Sequence, residues 1–264
     1  MPKFIVATLV LLFLAACSQK SAPVDEVLAI RCGNLVDGLA DEPLGARLVV
    51  IRNERIESIE ARAEVPEGAT LLDLSDYTCL PGLIDTHTHI ALRHDDSSDL
   101  TVYYRRPKSE TIAITLDSAQ TTLQAGFTTI RNVGDYFPEA IIEVRDRIRQ
   151  GEAPGPRIQT AGSYLTIPGG GGDLVVPGHD ESEIPAAVRI GVARGPEQFA
   201  AATQQVLDNG ADMIKIIASG AVFAFGGVPG SPEMTPDEIA AVVEVAHANG
   251  VKVTAHAHGA QSIQ

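Results

Sequence analysis

The chain has 264 residues, 45% hydrophobic and 20% charged, with a formal net charge of -14 at pH 7. That length can bury a sizeable core, and so acidic a surface excludes nucleic acid as a partner and disfavours an anionic membrane face. Tryptophan is absent and aromatics are 5%, so stacking platforms for single strands are lacking and the core must be aliphatic.

Lys3 followed by the apolar run from Phe4 to Phe13 has the form of a signal-peptide n-region and h-region, too short to span a bilayer comfortably. The run ends in Leu14-Ala15-Ala16-Cys17, which resembles a bacterial lipobox. That resemblance implies a lipoprotein signal peptide over residues 1–16, lipidation of Cys17 and a polar tether over residues 17–26. It also implies export to the periplasm with a lipid anchor, Ser18 directing the protein to the outer membrane. An ordinary signal peptide with an incidental cysteine is the alternative.

Residues 27–79 hold short strand-like runs at Val27–Arg31, Arg47–Arg52, Arg55–Glu60 and Thr70–Leu74, with turns at Asn53-Glu54 and Pro66-Glu67-Gly68. Cys32 and Cys79 both fall in this module. An oxidising compartment permits a disulfide between them, and two buried free thiols are the other reading. Neither cysteine has the spacing of a zinc site.

From Leu80 the rhythm changes to strand followed by helix. One helix carries Ile112, Leu116, Ala119 and Leu123 on one face and stops at Gly126; a second starts at Pro138 and stops at Gly151; a third runs from Pro196 to Gly210. The fourth has Thr235 as N-cap, Pro236 next, Glu238 completing a capping box, and Gly250 as its stop. Between them lie apolar strands at Phe127–Val133, Arg157–Ala161, Ala211–Ala218 and Val251–His258. Such alternation implies parallel strands joined by right-handed crossovers.

Three strand ends carry chemistry. In Leu80-Pro81-Gly82-Leu83-Ile84-Asp85-Thr86-His87-Thr88-His89-Ile90, the two histidines share a strand face, and neutral imidazole is a ligand for zinc-like ions. A solvated strand end would carry the same pair without function. Lys215 interrupts the apolar run from Met213 to Ala218. Buried, an ammonium there needs a partner or a changed chemical form; at a strand end it could instead reach solvent. His256 and His258, within Val253-Thr254-Ala255-His256-Ala257-His258-Gly259, again share a face.

The Pro-Gly-apolar-apolar-Asp-x-His-x-His stretch resembles the first barrel strand of the amidohydrolase superfamily. The wording of Ile214–Gly220 and Ala255–Gly259 is similar to its imidazolonepropionase-like and Xaa-Pro or Xaa-Arg dipeptidase branch. The resemblance implies an α/β fold, a partial (β/α)8 TIM barrel over residues 80–264 preceded by a small β-sandwich over residues 27–79. It implies metal ligation by His87, His89, Lys215 and His256, with Lys215 carboxylated by carbon dioxide into a carbamate that bridges one or two divalent ions, zinc foremost. His258, Asp85 and Arg131 are then substrate-contacting or supporting groups. The loop Thr166-Ile167-Pro168-Gly169-Gly170-Gly171-Gly172-Asp173 has glycine where that branch often carries histidine, and lacks the Gly-Lys-Ser/Thr ending of a phosphate loop. His94, His179 and His247 read as ordinary surface or helix residues.

About five barrel strands can be counted, where a closed barrel has eight, so the chain reads as the first part of a longer enzyme. The implied reaction is hydrolysis of an amide, peptide or cyclic amide C–N bond in a small molecule, dipeptides of the Xaa-Pro type included, through metal-activated water. The rival reading is a lipid-anchored binding or remnant protein that keeps the scaffold without the chemistry. Stoichiometric metal separates the two.

Overall fold

The computed structural model describes residues 26–264 apart from residues 62, 223 and 226. The signal peptide, the lipidation site Cys17 and all but the last residue of the tether therefore lie outside the described residues. The chain divides into two compact units, one ending at Pro81 and the other running from Gly82 to Gln264. The boundary falls at the Pro81-Gly82 turn that precedes the first histidine strand.

The first unit is a four-stranded sheet of β1 (Val27–Leu35), β2 (Arg47–Arg52), β3 (Arg55–Glu60) and β4 (Thr70–Cys79), in the order β3-β2-β1-β4. The β1–β2 and β2–β3 pairs are antiparallel, while β4 lies parallel to β1. The β2–β3 turn puts Asn53 and Glu54 at φ 47° and 66°, the left-handed geometry that matches the twist of a two-residue hairpin. Alternation places Leu48 and Val50 with Ala29 on one face and Val49 with Cys32 and Leu35 on the other. Cys32 and Cys79 form a disulfide with Cα atoms 5.8 Å apart, which settles the choice left open by the sequence.

In the second unit every paired strand is parallel to its neighbour. The strands are β5 (Leu83–Thr88), β6 (Phe127–Asn132), β7 (Arg157–Thr160), β8 (Tyr164–Leu165), β9 (Ile214–Ile217) and β10 (Val253–His256). The helices are α1 (Val102–Arg105), α2 (Lys108–Gln124), α3 (Pro138–Arg149), α4 (Pro196–Asp208), α5 (Pro236–Ala248) and α6 (Ala260–Ile263). Pairing gives two three-stranded sheets, β5-β6-β7 and β10-β9-β8. They are successive parts of one layer. β7 and β8 are the two pieces of the third barrel strand, interrupted where Gly162 takes φ 62°, and Asp212 N donates to Thr160 O at 2.8 Å to carry the layer from β7 towards β9. The architecture is a partial α/β barrel of five strands, counting that pair as one.

The four long helices, α2 to α5, pack on the outer face of the strands. Ile130 and Ile158 meet Ile141 and Val144 of α3 and Ala119 of α2. Ile214 and Ile216 meet Phe199 and Val206 of α4 and Val242 of α5. Full burial of a side chain such as Phe199, 0% exposed, contributes roughly 1.5–3 kcal/mol. The α5 capping box forms as its sequence dictates: Glu238 N donates to Thr235 Oγ1 at 3.3 Å, and Thr235 N donates to Glu238 Oε2 at 2.8 Å. Glu238 Oε1 also accepts from Gly195 N at 2.7 Å, so one carboxylate fixes the start of α5 and the entry to α4.

β9 is held in place by charge. Arg145 of α3 donates to Asp212 Oδ2 at 2.8 Å and to Gly210 O at 2.6 Å, and the same Asp212 oxygen accepts from Thr160 N at 3.0 Å. Helix, third strand and the approach to the fourth are thereby tied together two residues before Ile214. With Ile214 and Ile216 facing the helices, strand alternation turns Lys215 and Ile217 to the opposite, inner face.

Candidate metal centre

The C-terminal ends of β5, β9 and β10 deliver their side chains to one cavity of about 720 Å³. His87 and His89 reach it from β5 and the residue after it, Lys215 from β9, His256 from β10, and His258 from the turn that follows. The imidazoles come as two pairs, with ring centroids 5.3 Å apart for His87 and His89 and 4.8 Å apart for His256 and His258. All four ligands expected from the sequence, and His258 with them, thus line one space.

Lys215 is 4% exposed. No hydrogen bond or ion pair to its amine occurs among the described residues, and burial, with Arg131 adding repulsion, pushes that amine below the usual lysine range. The alternative of a lysine reaching bulk solvent is excluded by that burial. His89 is oriented from behind: its Nδ1 lies 2.8 Å from Gly134 O. A carbonyl oxygen only accepts, so Nδ1 carries the proton and Nε2 keeps its lone pair. Burial lowers the pKa of His87, His89 and His256 alike, and Lys215 lowers each further by repulsion. His256 Nε2 is buried with no hydrogen-bond partner. Neutral imidazoles and a buried ring nitrogen without a partner are donors suited to a cation.

These donors fit a divalent ion. Among the described residues no cluster of three or more His, Cys, Asp or Glu side chains is placed to hold a metal. Carboxylation of Lys215 would add an anionic oxygen to these donors. A neutral amine is the form that attacks carbon dioxide, and burial favours that form.

Two groups singled out in the sequence stand behind this surface. Asp85 does not line the cavity; its Oδ1 accepts from His87 N at 2.9 Å and fixes the backbone of the strand end. Arg131 donates from Nε to Thr86 O at 2.8 Å, bracing β5 against β6 while acting on Lys215 and His87 through its charge. Sequence reading missed the residues that shape the far wall. Tyr103, Tyr136 and Tyr164 all line the cavity, and the Tyr164 hydroxyl lies 3.2 Å from His89 Nδ1. Beneath them Asn132 Oδ1 accepts from Ile90 N at 2.9 Å and Asp135 Oδ1 from Phe137 N at 3.2 Å. Burial drives the Asp135 carboxyl up to about 7. The available signal was position, since barrel enzymes build their sites from the segments after strand C-termini.

The chain is similar to several known proteins. Ochratoxinase of Aspergillus niger is 27% identical over 265 residues, covering 92% of this chain and 53% of that protein. Among solved structures, a Xaa-Pro dipeptidase with bound methionine in its active site is 32% identical with a TM-score of 0.81, over 90% of this chain and 58% of that one. A prolidase complexed with N-methylphosphonate-L-proline is 29% identical with a TM-score of 0.80, over 90% and 57%. The chain therefore spans little more than half the length of these relatives. The sequence profile of the Amidohydrolase family matches residues 78–264, and the chain belongs to that family.

Proposed function

We propose that this chain supplies the first part of a metal-dependent amidohydrolase that cleaves an amide C–N bond in a small molecule, Xaa-Pro-type dipeptides being the first class to try. The observation that carries the reading is Lys215, buried without a counter-charge in a cavity shared with His87, His89 and His256. The ochratoxinase and prolidase relatives support the bond class.

His87, His89, His256 and carboxylated Lys215 would hold one or two divalent ions, zinc by preference for this mixture of nitrogen and oxygen donors. When bound, such ions supply Lewis acidity to the scissile carbonyl and an activated water. The chain's own residues do the rest. Carboxylation joins Lys215 Nζ to the carbon of carbon dioxide and releases one proton, turning an amine that costs stability into an anion with a use. Gly134 O holds the proton of His89 on Nδ1, and Asp85 and Arg131 brace the strand end that carries His87. His258, with its backbone N–H donating to Ser219 Oγ at 2.9 Å, stands beside His256 as a substrate contact. Asp173 is the carboxylate among the described cavity residues, and it is committed to Arg189 through two bonds of 2.8 Å and to Gly169 N at 2.9 Å. It is not free to act as a base.

The test is metal content with turnover. The full-length protein, loaded with zinc in bicarbonate buffer, should hold stoichiometric metal and hydrolyse prolyl dipeptides or N-acyl amino acids. Lys215→Ala should lose most of both, with partial recovery in short-chain carboxylates that replace the missing bridge. Stoichiometric metal and full turnover in Lys215→Ala would end this reading. For localisation, the Leu14–Cys17 sequence supports export and anchoring to a periplasm-facing membrane through lipidated Cys17. Cys17→Ser should release the protein from the membrane fraction; retention there would refute the anchor.

A further inference from the structure

The cavity wall away from the histidines is built of rings. Tyr103 and Tyr136 have centroids 4.8 Å apart, Tyr136 and Tyr164 5.4 Å, and Tyr164 and His89 6.0 Å. The result is a ladder of aromatic faces and edges that starts at an imidazole of the candidate metal centre and leads away from it. The three tyrosines come from α1, the β6–α3 connection and β8, so the ladder is a tertiary feature. It is backed by its own apolar cluster, in which Tyr103 packs with Leu174, Val176 and Ile184, apart from the two cores under the strands.

Charge is scarce on this wall. Among the described residues lining the cavity, Lys215 is the one lysine or arginine and Asp173 the one carboxylate. Lys215 belongs to the metal centre, and Asp173 is saturated by Arg189 and Gly169 N. A charged substituent entering here would shed its water without gaining a counter-charge, which is costly. A neutral ring would replace water against aromatic edges and faces, which is favourable beyond its buried area. No hydrogen bond from the Tyr103 or Tyr136 hydroxyl occurs among the described residues, and neither oxygen is a buried atom without a partner, so both open to water in the cavity. Both are left for an acceptor atom of whatever occupies the cavity.

We propose that the Tyr103–Tyr136–Tyr164 ladder is the specificity surface of this site and selects substrates carrying an uncharged aromatic group next to the bond that is cut. Placement beside a cut bond rests on the amidohydrolase reading; recognition of the ring does not.

Binding and turnover test the two parts separately. In calorimetric titrations of the full-length protein, benzamide should bind roughly tenfold more tightly than acetamide, and anionic succinamate should gain nothing over acetamide. Tyr136→Leu keeps the apolar volume but removes the ring, and should cut the benzamide advantage to about threefold or less. Tyr136→Phe keeps the ring and should preserve most of it, which separates recognition from misfolding. Equal affinity for benzamide and acetamide in the unmodified protein, or an undiminished advantage in folded Tyr136→Leu, overturns the proposal. Turnover is then measured on N-benzoylalanine, N-acetylphenylalanine, N-acetylalanine and alanylproline. Hydrolysis with no preference for the aromatic compounds sinks the ladder alone. Selective benzamide binding with no hydrolysis of any of the four sinks the hydrolase reading and leaves ring recognition standing.

Discussion

His89 Nδ1 and the carbonyl oxygen of Gly134 stand 2.8 Å apart, and this one bond decides which nitrogen of the imidazole is free to face the cavity. Gly134 is suited to the task because it has φ 109° and no side chain: a Cβ there would meet the Tyr164 ring at 2.5 Å. Gly134→Ala must strain the backbone, displace the ring, or both. It is expected to cost more than about 1 kcal/mol of stability and to weaken zinc binding by roughly 10- to 100-fold. Thermal melting and competition titration with a chelator read the two effects. A folded variant with undiminished zinc affinity would show that the bond does not orient the ring.

Lys215 makes a prediction for the metal-free protein. Its folded-state pKa lies below that of the unfolded chain because burial penalises the ammonium. The penalty is fully present below the folded pKa, shrinks as pH rises towards the ordinary lysine value of 10.5, and vanishes above it. Lys215→Met should therefore raise the melting temperature of the metal-free protein at pH 7 and lose that advantage progressively towards pH 10.5. In carbon dioxide and zinc the order should invert, because only the lysine can be carboxylated. A variant less stable than its parent under both conditions would contradict this account of the strand.

Acid should strip the metal late. His87, His89 and His256 all titrate below the ordinary histidine value of 6.5, with burial the first cause in each. They stay unprotonated, and so able to bind, to a lower pH than a solvated histidine would. Zinc retained after equilibrium dialysis should hold through pH 6.5 and fall below it. Half-loss of zinc above pH 7 would show that the histidines do not govern the site.

Much of this was legible in the sequence because it is periodic or local. The start of α5 follows from Thr235, Pro236 and Glu238; the inward face of Lys215 follows from its place between Ile214 and Ile216. The histidines converge because each pair is spaced two apart on or beside a strand end. What was not legible depends on contacts between distant segments. The third barrel strand reads as one run at Arg157–Ala161, but Gly162 breaks it and β8 carries Tyr164 onward to pair with β9. The ring ladder joins residues 28 to 33 positions apart, contributed by a short helix, a connection and a short strand, with no period to announce it. Nothing in the sequence marks Gly134, whose carbonyl matters only through the His89 ring that the fold sets against it.

The Cys32–Cys79 disulfide closes a separation of 47 residues, and this span covers most of the four-stranded unit. In the chain-entropy account a loop of that size stabilises by about 4 kcal/mol. Cys32→Ser should therefore lower the unfolding temperature of the N-terminal unit by an amount that reductant reproduces in the unmodified protein. A thiol assay finding two free cysteines in protein isolated from an oxidising compartment would remove the bridge from the account.

Asp135 provides the last test, since it is a buried acid whose cost can be followed by pH. It is 2% exposed, its Oδ2 has no hydrogen-bond partner, and burial drives its pKa from 3.8 to about 7. A carboxyl raised in the folded state takes up a proton on folding, so its contribution to stability falls as pH rises from its unfolded value through about 7 and is lowest above that. Its Oδ1 nevertheless accepts from Phe137 N, in the turn that leads from Gly134 into α3. Asp135→Asn keeps an oxygen for that bond and removes the charge. The variant's advantage in melting temperature should be smallest near pH 4, grow through pH 7 and be full at pH 8, where zinc affinity is retained. Equal melting curves at pH 8 would mean that the carboxyl is well solvated and its pKa is not raised. A loss of zinc affinity would instead place its charge among the determinants of the His89 position.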